Sequence, residues 1–309
     1  HKKMVVVLSN GSPVEMPWVQ AVPSILEGYL GGQAGAGAVA DIVLGKVNPS
    51  GKLAETFPLT FEDTPAQPYP GCPVTVPYCE SLYVGYRYYD KAQIEVRYPF
   101  GHGLSYTHFV YSDLEVSQHS ETVSVSFKIQ NTGERSGKET AQVYVRDVHA
   151  SQFRPDKELK GFIKVELKPG QERQVTVELE RRAFAFYNPR FHDWVVEEGE
   201  FEILVGASSR DIRLSAAIHI TGATEETYRE EEKRLPTYYS PSKERGFNQM
   251  TFETLLSKSL PPDEIPQKGS FTLNTPLMDM SSTMAGRLFY RLVSQMAAKM
   301  TPSAEDSPT

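Results

Sequence analysis

Apolar positions in the first sixty residues come in short unbroken runs. Met4 to Leu8 is continuous and apolar, the pattern of a strand buried on both faces of a parallel sheet. Asn10 and Gly11 end it with turn chemistry. Ser24 to Leu30 reads as a second short strand, closed by Gly31 and Gly32. From Gln33 to Leu44 the residues are small and apolar, with Ala34, Ala38, Asp41 and Ile42 at helical spacing. This predicts a helix packed close to the sheet, because Ala and Gly permit a short helix–sheet distance. Asn48, Pro49, Ser50 and Gly51 form a strong turn signal. Two strands and one helix are too little for an independent α/β domain, and the chain runs into its first strand almost directly after His1. The reading therefore expects this domain to begin upstream.

Beyond residue 59 the pattern changes twice. Residues 61–109 carry little periodicity and much proline, glycine and tyrosine, as a wrapped, aromatic connector would. Residues 110–221 alternate strongly. Val123, Val125, Phe127 and Ile129 share a face, as do Ala141, Val143 and Val145, then Ile163, Val165 and Leu167. Val175, Val177 and Leu179 follow, then Phe201, Ile203 and Val205, then Ile212, Leu214, Ala216 and Ile218. Turn signals separate them at Asn131 to Gly133, Pro169–Gly170 and Glu198–Gly199. Roughly seven short strands in roughly 110 residues predict an antiparallel β-sandwich of immunoglobulin or fibronectin III type. Residues 222–309 read as an extended polar tail ending in a helix over 282–300. There Met284, Leu288, Phe289, Leu292, Val293 and Met296 keep a helical period. The helix is expected to dock on the body or on a partner, since its basic residues are few for a membrane surface.

Composition narrows the function classes. A net charge of −7 without a basic patch excludes nucleic acid as the expected partner. No apolar run reaches the length of a membrane span, so no membrane is expected. The two cysteines, Cys72 and Cys79, lie in one loop, which points to free thiols in a reducing, cytoplasmic compartment. Neither their spacing nor the glycines at 28–37 fit a zinc site or a dinucleotide fingerprint, so no metal and no cofactor is expected.

Several segments, in order, resemble glycoside hydrolase family 3. Val5 to Leu8, followed by Ser12, Pro13 and Met16-Pro17-Trp18, resembles the last strand–loop units of the family's C-terminal α/β sandwich. GYLGGQAGAGAVADIVLGKVNPSGKLAETFP, Gly28 to Pro58, is similar to that domain's most recognisable stretch. ESLYVGYRYYD, Glu80 to Asp90, and YPFGHGLSYTHF, Tyr98 to Phe109, resemble its connector into the last domain. GEFEILVGASSRDIRL, Gly199 to Leu214, is similar to the closing strands of its fibronectin III-like domain. The resemblance implies an α/β remnant at 1–60, the end of a six-stranded α/β sandwich, followed by an all-β immunoglobulin-like sandwich and a partly helical tail.

The function it implies is that of a retaining β-glucosidase acting on oligosaccharides or β-glucosides. In that family a (β/α)8-type barrel supplies an aspartate nucleophile and the α/β sandwich a glutamate acid/base. Neither motif occurs here: no barrel, no Ser-Asp-Trp-like segment, and the acid/base loop is expected before His1. The chain alone is therefore expected to be inactive, dependent on the missing N-terminal barrel. The alternative is a non-catalytic carbohydrate-binding or structural module. The sugar (glucose, xylose, galactose or arabinose) and self-association into a homo-oligomer stay open.

Among individual residues, Glu80 stands out as a carboxylate in an aromatic loop, with Arg87 nearby. It suits either facing a sugar cleft or steering a loop, or a structural salt bridge to Arg87 or to a neighbouring domain. Tyr83, Tyr86, Tyr88 and Tyr89 suit either sugar stacking or packing between domains. Glu80, Tyr83 and Arg87 are thus the candidate substrate-binding residues. Gly101-His102-Gly103 reads as a tight bend in which His102 forms a hydrogen bond. Asp147, His149 and Asp156 carry little signal for a metal, and Asp193-Trp194 reads as a turn with a buried indole.

Overall fold

The computed structural model describes residues 4–66, 76–223, 229–261, 267–273 and 275–300. The chain divides into two compact units, residues 1–67 with 78–257, and residues 68–77 with 258–309.

The first unit opens with the expected α/β elements. Strands β1 (Val5–Leu8) and β2 (Ser24–Glu27) pair in parallel, Val5 opposite Ser24 and Leu8 opposite Glu27. Helix α1 (Gly35–Val43) follows. The turn before it brings Gly31 so near Gly35 that a Cβ would meet the Gly35 Cα at 2.8 Å, which explains the glycines there. The expected close packing of this helix is not found: none of its residues is buried. β2 also ends earlier than Leu30, because Tyr29 turns into a left-handed conformation (φ +46°).

The aromatic connector is not structureless. Strand β3 (Phe57–Pro58) pairs antiparallel with β4 (Val96–Tyr98), and helix α2 (Tyr86–Lys91) lies between them in sequence. Gly85 starts this helix with φ +59°, a conformation that a side chain would strain.

The sandwich comprises β5 (Phe109–His119), β6 (Thr122–Asn131), β7 (Gly137–Asp147), β8 (Glu158–Leu167) and β9 (Glu172–Glu180). It continues with the short hairpin β10 (Phe186–Asn188) and β11 (Asp193–Val195), then β12 (Gly199–Gly206) and β13 (Ile212–Ile220). One sheet has the order β13-β12-β7-β8, the other β5-β6-β9, all antiparallel. The alternating residues face one another across an apolar core: Val125, Phe127, Ile129, Ala141, Val143, Leu167, Phe201, Ile203 and Val205 are fully buried. The indole of Trp194 is not buried as expected. It is about half exposed, with the Arg182 guanidinium 3.6 Å above its ring.

The outer face of the four-stranded sheet is covered by the connector. Tyr86 stacks on Phe100 at 4.7 Å, meets Tyr144 edge-on at 6.0 Å, and packs with Leu204. Its hydroxyl accepts a hydrogen bond from the Leu159 N–H at 2.8 Å. Asp90 fixes the same layer electrostatically, with Lys157 at 3.0 Å and Arg210 at 2.7 Å.

The stretch expected to be an extended polar tail folds instead. Helices α3 (Arg229–Arg234), α4 (Pro236–Tyr239) and α5 (Gln249–Leu256) follow the sandwich. Leu235, Tyr238 and Phe247 bury themselves with Tyr83, Tyr88 and Tyr89 in a second core. Burial of whole aromatic side chains offsets the polarity of the surrounding sequence. In the second unit, a turn at Asp279–Ser282 leads into α6 (Met284–Met300), close to the predicted 282–300.

Replacing Tyr86 with alanine opens a cavity against Tyr144 and orphans the Leu159 N–H. Urea denaturation of Tyr86→Ala should show a loss of about 3–5 kcal/mol. Tyr78→Ala, at an exposed ring, should change stability by less than about 0.5 kcal/mol.

Candidate functional site

A cleft of about 740 Å³ lies beside the parallel strands. Val5, Leu8, Ile25 and Leu26 line one wall; Leu53 and residues 102–106 line the other. Parallel strands ordinarily have both faces covered. Here Val5, which lines the cleft, remains about half exposed, so the cleft is the open half of a hydrophobic core.

Polar chemistry gathers where β2 ends. Glu27 accepts a hydrogen bond from the Tyr29 N–H at 2.8 Å, and the Ser9 hydroxyl donates to the Tyr29 carbonyl at 3.1 Å. Burial, then the charges of Glu55 and Glu27, push the Tyr29 hydroxyl up to about 12. Glu55 is raised as well, by burial and by the charge of Glu27. The carboxyl ends of parallel strands are where open α/β sheets bind ligands. The sequence reading did not single out Glu27, Tyr29 or Glu55. The available signal was a lone carboxylate inside each of two apolar runs, SILEGYL and KLAETFP.

The opposite wall is structural. Gly101 adopts φ +80°; the His102 N–H donates to the Pro99 carbonyl at 3.1 Å, closing the expected bend, and the Gly101 N–H donates to the Leu53 carbonyl at 2.8 Å. The His102 ring stacks on Tyr98 at 5.2 Å, and burial and Lys52 lower its pKa. Lys52 pairs with the buried Glu139 at 3.4 Å and donates to the Gly103 carbonyl at 3.1 Å. Burial lowers the Lys52 pKa, opposed by Glu139.

The candidate residues Glu80, Tyr83 and Arg87 lie in the connector rather than in this cleft. Glu80 is buried and its carbonyl accepts from the Tyr83 N–H at 3.0 Å. The Tyr83 ring has no exposed surface; it stacks on Phe247 at 5.7 Å, and its hydroxyl donates to the Tyr238 carbonyl. Arg87 does not form the ion pair expected with Glu80: its carboxylate partner is Glu158 at 3.4 Å. The reason is geometric, since α2 aims Arg87 at the sandwich.

Asp147 and Asp156 are taken by guanidinium groups, Arg154 at 2.6 Å and Arg146 at 2.9 Å. Glu197 also approaches Arg154, at 3.8 Å. Trp18 is half-buried. Cys79 is a free thiol, and Cys72 lies outside the described residues.

A family model described as the glycosyl hydrolase family 3 C-terminal domain matches residues 1–106, and one described as a fibronectin type III-like domain matches residues 139–209. The chain carries the C-terminal domains of glycoside hydrolase family 3. It is 55% identical over 225 residues to the thermostable beta-glucosidase B of Acetivibrio thermocellus, covering 71% of this chain and 30% of that protein. It is 44% identical over 225 residues to an exo-alpha-(1->6)-L-arabinopyranosidase of Bifidobacterium breve, covering 72% of this chain and 30% of that one. Among solved structures, beta-glucosidase 3B from Thermotoga neapolitana in complex with glucose superposes with a TM-score of 0.66 at 45% identity. That match covers 70% of this chain and 31% of the other. These family 3 domains thus span about 30% of the length of such relatives. The β-sandwich itself, Phe109 to Ile220, extends beyond the fibronectin-like match on both sides.

Because the fold raises the pKa of Glu55, its ionised form costs stability above that pKa. The cost fades as pH falls and the carboxyl is protonated. Glu55→Gln should therefore melt higher than the unaltered chain at neutral pH, and the difference should vanish below the carboxylate range. Calorimetric melts across that pH interval check the sign.

Proposed function

We propose that these domains belong to a retaining β-glucosidase that removes terminal non-reducing β-D-glucosyl residues from oligosaccharides or β-glucosides. The observation that carries this reading is the 55% identity, over 225 residues, to a thermostable beta-glucosidase. In this proposal an aspartate nucleophile and a glutamate acid/base act from outside the 309 residues. The role of the chain is to complete and hold the α/β sandwich that presents the acid/base. The open apolar cleft supports that role, since further strands and helices of the sandwich would cover it.

Sugar choice is then set elsewhere in the enzyme. One relative is named a beta-glucosidase and another an arabinopyranosidase, yet both share this region at 44% identity or more. The free thiol of Cys79 supports a reducing, cytoplasmic setting.

The test is an assay of aryl-β-glucoside cleavage by the 309-residue chain, alone and mixed with a separately produced barrel and upstream sandwich. The chain alone should release no sugar, and the mixture should be active. Release by the chain alone, abolished by Glu27→Gln or Glu55→Gln, would overturn the assignment of the catalytic carboxylates.

A further inference from the structure

Helix α6 is unlike every other element described above. It is 17 residues long, and Leu288, Leu292 and Met296 form one i,i+4 row along it, with Phe289 and Val293 forming the next. The two rows make a broad apolar face, wider than the narrow seam of a two-stranded coiled coil. Met284, Leu288, Phe289, Leu292 and Met296 are all more than half exposed. At its start the helix is anchored to the preceding turn. The Thr283 hydroxyl accepts from the Gly286 N–H at 3.0 Å, and the Arg287 guanidinium donates to the Ser281 carbonyl at 3.1 Å. Gly286 lets the preceding turn fold back, since a Cβ there would meet the Met280 carbonyl at 2.0 Å.

Charge decides what this face meets. Arg287, Arg291 and Lys299 lie in the helix, and no Asp or Glu occurs from Met280 to Met300. The chain as a whole is acidic, at −7. The expectation from sequence weighed only the small number of cations. What matters equally is that no anion opposes them and that the apolar face beside them is uncovered. An anionic lipid surface takes the apolar side chains into its headgroup boundary and draws the cations to its phosphates.

We propose that α6 is a peripheral anchor that lies in the plane of an anionic membrane surface. It does not span: no helix among the described residues is long and apolar enough to cross a membrane. The proposal is independent of the glycosidase reading, because it concerns binding and needs no catalysis.

Flotation of the full 309-residue chain with vesicles tests it. The chain should float with vesicles of phosphatidylcholine containing a quarter phosphatidylglycerol, and much less with phosphatidylcholine alone. Raising the salt should weaken the binding. Arg287→Glu with Arg291→Glu should lower the bound fraction about tenfold, and Leu288→Ser with Leu292→Ser should do the same while keeping the charge. Far-ultraviolet dichroism and thermal melts identify any variant that fails to fold. The Arg287→Gln, Arg291→Gln pair, a milder change, then supplies the reading, with an intermediate loss expected. No flotation with the anionic vesicles overturns the proposal. So does flotation that both double variants leave unchanged, or a dimer seen by light scattering that the leucine variant abolishes while vesicles go unbound.

Discussion

The stacking of Tyr86 between Phe100 and the outer face of the sandwich holds the first unit together. An antiparallel sheet can leave one face to water, and its exposed side is then polar. Here that side carries Tyr144, with no accessible surface, and Leu204. Those two residues demand a cover, and α2 supplies it. Once α2 lies there, Asp90 reaches Lys157 and Arg210, and Arg210 also bonds the Tyr89 and Ile94 carbonyls. The buried carboxylate adds specificity more than stability, because desolvation offsets much of the attraction. Its two cations fix which way the connector crosses the sheet. The second aromatic core, from Tyr83 to Phe247, is a consequence of that path.

The α/β part is satisfied differently. It meets the sandwich through Lys52, whose ammonium lies against Glu139 on β7, and Glu139 in turn accepts from the Tyr111 hydroxyl at 2.9 Å. Beyond that joint, no residue of the two strands or of α1 is fully buried. Its polar groups tell the same story: burial first, and then neighbouring carboxylate charge, raises both Tyr29 and Glu55. Such a region is under-satisfied in both its apolar and its polar chemistry. The relatives named above are about three times as long as this chain.

Much of this was legible in the sequence where period and burial coincide. The sandwich strands announced themselves because Val123 to Ile129 and Phe201 to Val205 alternate without interruption. The parallel pair was legible because β1 is an unbroken apolar run. The connector was not, since α2 spans fewer than two turns and its tyrosines are too close together to reveal a period. The helices after the sandwich were hidden for the opposite reason. Leu235, Tyr238 and Phe247 are isolated among charges, and only the pocket that receives them shows their value. Glu80, Tyr83 and Arg87 drew notice as polar and aromatic groups in a loop. That loop is the wall of a core, which no local pattern records. Glu27 and Glu55 are far apart in the chain, so their convergence on Tyr29 needed three dimensions.

The fibronectin-like β-sandwich shares its outer face with residues before it and its neighbouring core with residues after it. A recombination event that moved Phe109 to Ile220 alone into another polypeptide would carry an unpaid hydrophobic debt at Tyr144 and Leu204, and at Phe153, whose ring packs against Tyr83 and Tyr238. The unit of inheritance is therefore longer than the unit of topology. Shuffling of this module between enzymes has to take both flanks, and its aromatic connector should travel with it as part of the same heritable block.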